Sequence, residues 1–367
     1  MTSQTSKPLT DPAPDLVPVT LLTGFLGSGK TTVLNNLVRQ PELADALVII
    51  NEFGEMALDH MLVAHSTENL VMEMSNGCVC CSIRHDLVKT LRDITWRYSR
   101  NGERWFKRIL IETTGLADPA PIIHTLMTHP RIAPQYRLDG IVATVDMGTV
   151  MDTLDHHQEA IKQVAMADAL LLTKSDLVAE ERRGPLLHRL DAINPAAPRW
   201  EVRDGEIAAH QVLGLGLFDA TGKTPDVARW LNEASYAVQS THAHAHEHEH
   251  EHGQHHDENR HDDHIRAFCF TIEQPIAEDS LTNWLELLAD FSGSNILRVK
   301  GIFNIEGTAR PVVVHGVQHV FHPPVTLPAW PSEDQRSRVV FITRDVSREL
   351  KDFIERANHV LATGALS

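Results

Sequence analysis

Gly24-Phe25-Leu26-Gly27-Ser28-Gly29-Lys30-Thr31-Thr32 satisfies the pattern G-x-x-x-x-G-K-[ST]. Glycines at 24, 27 and 29 let the backbone curl, so that the N–H groups of a loop running through Ser28 to Thr32 converge on one cavity. A helix opening at the end of this loop adds its positive dipole end, and the two together make a phosphate cradle. Lys30 is placed to reach the β- and γ-phosphates, and the Thr31 hydroxyl to take one position on Mg²⁺. The chemistry implied is binding and cleavage of a nucleoside triphosphate, with Lys30 and Mg²⁺ supplying most of the transition-state stabilisation.

Two further loops refine this. Glu112-Thr113-Thr114-Gly115 closes an apolar run, where an acid sits near Mg²⁺, usually through water, and the following glycine touches the γ-phosphate. No Gln or His stands beside it to activate water, so slow intrinsic hydrolysis is expected. Thr173-Lys174-Ser175-Asp176 resembles the guanine-reading motif N-K-x-D, with Thr for Asn. A carboxylate at Asp176 accepts from both the ring N–H and the exocyclic amine of guanine, whereas adenine offers neither in that arrangement. The Lys174 stem is expected along the base, and Thr173 is shorter than the Asn it replaces. The nucleotide expected is GTP.

A different chemistry is written in Gly77-Cys78-Val79-Cys80-Cys81-Ser82. Three thiols this close can give three soft ligands to one ion, Zn²⁺ or Cu(I) by preference, and binding as thiolates releases protons. Cys78 and Cys81 also form a C-x-x-C pair able to close a disulfide, and buried structural cysteines are the third reading. Glu55 or Glu52 in Asn51-Glu52-Phe53-Gly54-Glu55 could complete a tetrahedral site, as could His129, and the carboxylates could equally lie in solvent or near Mg²⁺. Cys269, alone in a strand-like run, reads as core.

These residues need elements to hold them. From Val17 to about Ala234, apolar strand-like runs (17–22, 47–50, 70–74, 108–111, 141–145, 169–172) alternate with amphipathic segments such as 85–98 and 119–127. That alternation predicts an α/β fold, a mostly parallel sheet with helices on both faces and ligands at the strands' carboxyl ends. Thr241 to His264 breaks the pattern: ten of the chain's 23 histidines fall there, alternating with Glu, and no apolar side chain can form a core. Strands near 265–272, 295–304, 311–315, 318–321 and 339–343, with helices at 280–291 and 349–357, predict a smaller, mostly antiparallel α+β domain. The organisation expected is a disordered tail (1–16), a nucleotide-binding domain carrying the cysteines (17–234), a disordered His-rich linker (235–264) and a C-terminal α+β domain (265–367).

Composition narrows the class. With 367 residues, 42% hydrophobic and 22% charged, the chain has material for two cores. A net charge of −16 argues against nucleic-acid partners. No apolar run approaches the ~20 residues of a membrane span, and Met1–Leu16 lacks a signal-peptide core, so the expectation is a cytoplasmic protein that does not enter membranes. The four cysteines are too few for a disulfide scaffold. Self-association is left open.

With G-F-L-G-S-G-K-T-T, N-E-F-G-E, G-C-V-C-C, E-T-T-G and T-K-S-D in this order, the chain resembles the CobW-type family of metallochaperone GTPases over nearly its whole length. The resemblance implies a P-loop GTPase domain with an internal metal site at Cys78, Cys80 and Cys81, and a C-terminal domain that helps recognise a client metalloprotein. It implies Glu112 as the usual acid and T-K-x-D as an accepted variant. Members handle zinc, serve cobalamin synthesis with cobalt, or activate nitrile hydratase, and the motifs do not separate these. The leading expectation is GTP-dependent zinc delivery, with Lys30 and Glu112 catalytic and the His tract collecting metal weakly. The rivals are a Co²⁺-handling GTPase and a His-rich metal buffer.

Overall fold

A computed structural model describes residues 16–50, 70–73, 81–100, 103–216, 265–290, 295–345 and 348–364. The expected N-terminal tail before Leu16 and the His-rich linker lie outside these residues.

The first sheet has seven strands, all parallel: β1 (Val17–Gly24), β2 (Ala46–Ile50), β3 (Leu70–Glu73), β6 (Arg108–Glu112), β7 (Tyr136–Asp146), β8 (Ala169–Thr173) and β9 (Arg199–Val202), in spatial order β3-β2-β6-β1-β7-β8-β9. Strands β4 (Ser99–Arg100) and β5 (Glu103–Arg104) form a separate hairpin. Every residue of β2 and β8 is buried, as a strand covered on both faces requires. One face packs on α1 (Lys30–Leu37), through Val33, Leu34 and Leu37 against Leu22, Val48 and Leu110. The other is covered by α2 (Cys81–Arg97), α3 (Ala120–Thr128), α4 (Val150–His156), α5 (Gln158–Met166) and α6 (Glu180–Ile193). A short helix, α7 (Ala209–Val212), returns to the α1 side. Since β1 and β6 lie side by side, the P-loop and Glu112 meet at one carboxyl edge, with Leu22 level with Glu112.

β7 starts at Tyr136, five residues before the expected Ile141, because its polar residues are paired. The Asp139 carboxylate, 2% exposed, accepts from Arg108, Arg137, the Thr20 hydroxyl and the Gly214 N–H. β9 has only one fully buried residue, Val202, and so carries little apolar pattern.

The C-terminal sheet is antiparallel: β10 (Ile265–Ile272), β15 (Ser337–Arg344), β11 (Ile296–Phe303), β12 (Val312–Val317) and β13 (Val320–Phe321) in that order, with β14 (Val325–Thr326) also on β12. Side-chain alternation gives it two buried faces. Val299, Phe303, Val314 and Phe341 pack around Trp284 beneath α8 (Glu278–Asp290) and α9 (Arg348–Thr363). Leu297, Val317 and Ile342 turn the other way and join the core under α3, α5 and α6 of the nucleotide-binding unit. No helix among the described residues is long and apolar enough to cross a membrane.

Candidate functional site

β1 ends in Gly24, whose φ of 139° and contact with the hydroxyl and carbonyl oxygens of Thr144 leave no room for a Cβ. Gly27 and Gly29 also hold positive φ, 71° and 88°, and Gly29 caps α1. The Ser28 hydroxyl bonds to the Phe25 carbonyl at 2.7 Å and to the Thr144 hydroxyl at 2.6 Å, which fixes the loop on β7. Lys30, 8% exposed, sends its ammonium back over the loop to the Gly24 and Phe25 carbonyls at 3.0 and 3.1 Å. The Thr31 hydroxyl donates to Glu112 Oε1 at 2.8 Å, and Glu112 is buried. A hydroxyl and a buried carboxylate in contact beside a phosphate cradle are a hard, oxygen-only donor set, which fits Mg²⁺.

Gly115 lies against the P-loop itself. A Cβ there would stand 2.6 Å from the Leu26 nitrogen and 2.7 Å from its Cα, so the loop after Glu112 needs glycine to come this close. The structure places Gly24, Gly27, Ser28, Gly29, Lys30, Thr31, Thr32, Glu112 and Gly115 at one edge of the sheet.

The second wall follows β8. Thr173 donates its hydroxyl to the Ser28 carbonyl at 2.8 Å and to the Val145 carbonyl at 3.2 Å, so the shorter side chain still ties this loop to the P-loop. Lys174 adopts φ 54°, rare for a side chain with a Cβ, and its ammonium reaches the Gly27 carbonyl at 2.9 Å and Asp146 at 2.7 Å. Asp176 is exposed at the mouth of this loop. Behind the loop, Glu201 accepts from Ser175 and Arg183, and Arg183 also donates to the Ser175 carbonyl.

Several residues here escaped the sequence reading. Asp146, the partner of Lys174, ends an apolar strand at its carboxyl edge, and that position was a usable signal. Gly205 has φ 78° and a Cβ position 2.5 Å from the Thr32 carbonyl oxygen, which docks the turn after β9 on the start of α1. Gln163, which donates to the Gly115 and Ala117 carbonyls from α5, gives no signal in one sequence.

The metal-ligand candidates fall differently. Glu52, Glu55, Cys78 and Cys80 lie outside the described residues; Cys81 opens α2, but its side chain does as well. Among the described residues no group of three or more His, Cys, Asp or Glu could hold a metal ion. His129 caps the C-terminal end of α3, nine residues and ~14 Å along the axis from its start at Ala120, and its Nδ1 accepts the Arg131 N–H. Cys269 is half-buried against Ala196, Val313 and Val340.

A parallel sheet with this cradle, acid and base loop, joined to an antiparallel α+β unit, defines the class: a P-loop GTPase with an appended second domain. Residues 18–201 match the CobW/HypB/UreG nucleotide-binding domain, and residues 265–356 the cobalamin synthesis protein cobW C-terminal domain. The zinc chaperone YjiA of Escherichia coli is 33% identical over 89% of this chain and 93% of its own length. The zinc chaperone CobW of a Sinorhizobium species is 29% identical over 82% and 85%. The crystal structure of Zn(II)-bound YjiA GTPase from E. coli is similar with a TM-score of 0.62 at 25% identity, covering 95% of this chain and 99% of that one. The chain belongs to the CobW family.

Proposed function

We propose that this protein is a GTP-dependent zinc metallochaperone that hands Zn²⁺ to a client metalloprotein. In this reading the P-loop holds GTP, Thr31 and Glu112 hold Mg²⁺, Lys30 stabilises charge on the transferred phosphoryl group and Asp176 selects guanine. Zn²⁺ is the cargo, held by Cys78, Cys80 and Cys81 with Glu55 or Glu52 completing the set. The division of labour is a nucleotide-binding unit over 17–234, a His-rich connector over 235–264 that collects metal, and a client-facing unit over 265–367, all acting in the cytoplasm.

The observation that carries the metal half is a register. Ile50 of β2 is level with Glu73 of β3 on one side and with Glu112 of β6 on the other. The chain therefore leaves toward Glu52 and Glu55, and toward Cys78 and Cys80, from the same sheet edge at which Glu112 meets Thr31. Segments that start level with the Mg²⁺ carboxylate are well placed to respond to the nucleotide. The names of the relatives, zinc chaperones in two organisms, favour zinc over other soft-ligand metals.

Competitive titration of Zn²⁺ and Co²⁺, with and without Mg²⁺ and a non-hydrolysable GTP analogue, tests the proposal. One tight zinc site whose affinity shifts at least fivefold with nucleotide supports it, since coupled sites typically shift 5–150-fold, that is by about 1–3 kcal/mol. Cys80→Ser should weaken that site and leave GTP affinity intact, and Lys30→Ala should abolish turnover. A preference for Co²⁺ would shift the reading to cobalamin synthesis. Weak multi-ion binding indifferent to GTP, lost on deleting 241–264, would leave a metal buffer.

A further inference from the structure

Helix α5 touches both the loop that follows Glu112 and the C-terminal domain. From its middle, Gln163, 1% exposed, spends both amide hydrogens on that loop, donating to the Gly115 carbonyl at 3.2 Å and the Ala117 carbonyl at 3.0 Å. Its neighbour Lys162 pairs with Asp118 at 2.7 Å, and the other Asp118 oxygen accepts the Ala120 N–H at the start of α3. One turn of α5 thus grips residues 115–118. Their other side is pressed on the P-loop, where Gly115 meets the Leu26 backbone.

The C-terminal domain holds the same helix at its two ends. Arg344 of β15 donates to Gln158 Oε1 at 2.8 Å at the first residue of α5. Arg298 of β11 donates to the Met166 carbonyl at 3.0 Å at the last, and also reaches Asp168 at 2.6 Å, two residues on. A second contact flanks the loop from beyond: His124 of α3 lies 3.1 Å from the Val317 carbonyl at the end of β12.

A buried amide costs free energy unless its donors are satisfied, and an apolar residue would pack α5 against the sheet equally well. Gln163 spends its donors on two backbone carbonyls of the one loop that meets the P-loop at Gly115. In a trans peptide the C=O and the following N–H point in opposite directions. Fixing the Gly115 and Ala117 carbonyls toward α5 therefore turns the Leu116 and Asp118 N–H groups away from it.

We propose that Gln163 is a positioning residue for the γ-phosphate loop, and that α5 carries the triphosphate state from that loop to the C-terminal domain. The proposal rests on nucleotide binding at the P-loop and goes beyond it, naming the element through which the second domain senses the nucleotide. Movement of Gly115 on meeting a γ-phosphate pulls on Gln163 and Lys162, and the helix transmits the shift to Arg344 and Arg298. The reverse coupling follows by linkage: anything that displaces the C-terminal domain changes how well the loop accepts the γ-phosphate.

The test is hydrogen–deuterium exchange of the full chain with Mg²⁺ and either GDP or a non-hydrolysable GTP analogue, read together with GTP turnover. In the unmodified chain both nucleotides should protect 24–32 and 173–176. The triphosphate alone should change exchange in 113–119, 158–166 and 296–300. Gln163→Met keeps the volume and removes the donors. It should retain GDP affinity within twofold, lose the triphosphate-specific change at 158–166 and 296–300, and turn over GTP about tenfold more slowly, equivalent to about 1.4 kcal/mol of barrier. A merely structural role would lower the melting temperature without separating GDP from the triphosphate. Lys162→Met, a substitution in a half-exposed pair, queries the same loop should Gln163→Met fail to fold, and should show the same split more weakly. The proposal is overturned if the unmodified chain shows triphosphate protection at 24–32 but none at 158–166, or if folded variants keep turnover and the response at 296–300. Absence of protection at 24–32 with either nucleotide would instead sink the nucleotide reading.

Discussion

Asp168 sits just before β8, where three charges are shut in between the two domains. Its carboxylate meets the Arg298 guanidinium at 2.6 Å and the Lys300 ammonium at 3.0 Å, with side-chain exposures of 3%, 3% and 11%. Its second oxygen accepts the Ile141 N–H at 3.0 Å. Burial alone would raise its pKa, but the two cations outweigh burial and hold it below the ordinary carboxylate value of 3.8. A depressed carboxylate stabilises the fold at pH above 3.8, and that contribution is lost as pH falls through the lowered pKa. Asp168→Ala removes the anion and leaves both cations buried. Breaking a buried pair from one side costs about 3–5 kcal/mol, and the orphaned Ile141 N–H adds about 1–3. Burial already lowers the Lys300 pKa and loss of the Asp168 charge lowers it further, which offsets part of this cost. A net loss of about 4 kcal/mol is a large share of the 5–15 kcal/mol typical of a domain. The assay is urea denaturation followed by tryptophan fluorescence, with Trp284 reporting from the core on the far face of the C-terminal sheet. Asp168→Ala should bring the C-terminal transition forward. The triple replacement Asp168→Leu, Arg298→Met, Lys300→Met should recover the part of the loss that comes from stranded charge, leaving the cost of the unpaired Ile141 N–H. A loss below about 1 kcal/mol for Asp168→Ala would refute the view that this cluster fastens the domains.

Three other outcomes follow from single contacts. Thr173→Val deletes the hydroxyl that ties the base loop to Ser28; at about 1 kcal/mol for one hydrogen bond, GDP affinity by calorimetric titration should fall about fivefold, and an unchanged affinity would deny Thr173 that role. Gly205→Ala forces a Cβ to within 2.5 Å of the Thr32 carbonyl oxygen at φ 78°, and should lower the melting temperature by several degrees, where a neutral result would mean the turn shifts freely. Burial, reinforced by His322, Arg298 and Lys300, pulls His315 well below 6.5, and burial with Arg137 lowers His322 despite the Pro323 carbonyl. Below pH 6.5 the unfolded chain takes up protons that the folded one refuses, so stability should fall by up to about 1.4 kcal/mol per pH unit per histidine. Denaturation midpoints at pH 5, 6 and 7 would expose this, and His315→Gln should flatten the slope.

What the sequence made legible was local chemistry. The P-loop, the acid at the end of β6 and the base loop are short runs whose glycines and strand–helix flanks define their geometry within a few residues. The strand at 295–304 was equally readable as a strand, yet its burial on both faces was not. Arg298 and Lys300 look like a solvent face until Asp168, from a segment 130 residues earlier, is brought against them. The early start of β7 failed for the same reason, since Asp139 is tolerable inside only with Arg108 and Arg137 beside it. Gln163 is the extreme case: an amphipathic pattern marks it as merely buried or exposed, and its purpose depends on two carbonyls 46 and 48 residues away.

The two ends of this interface bear on the nucleotide in unequal ways. β8 joins Asp168 to Thr173 and Lys174, and offers a direct line from the C-terminal domain to the base loop. It is, however, hydrogen-bonded along both edges, to β7 and to β9, so displacing it breaks two ladders at once. α5 is held to the sheet mainly by side-chain packing, and small slides of packed helices are the lower-cost motion. Guanine recognition should therefore be static and γ-phosphate sensing mobile. The expected signature is in Asp168→Asn, which keeps an acceptor for Ile141 while weakening the hold of Arg298. GDP affinity should stay within twofold of the parent, because the base loop does not move. Affinity for a GTP analogue should change by more than that, because Arg298 also anchors the end of α5 at the Met166 carbonyl. Equal changes for both nucleotides would mean that β8, and not α5, is the moving part.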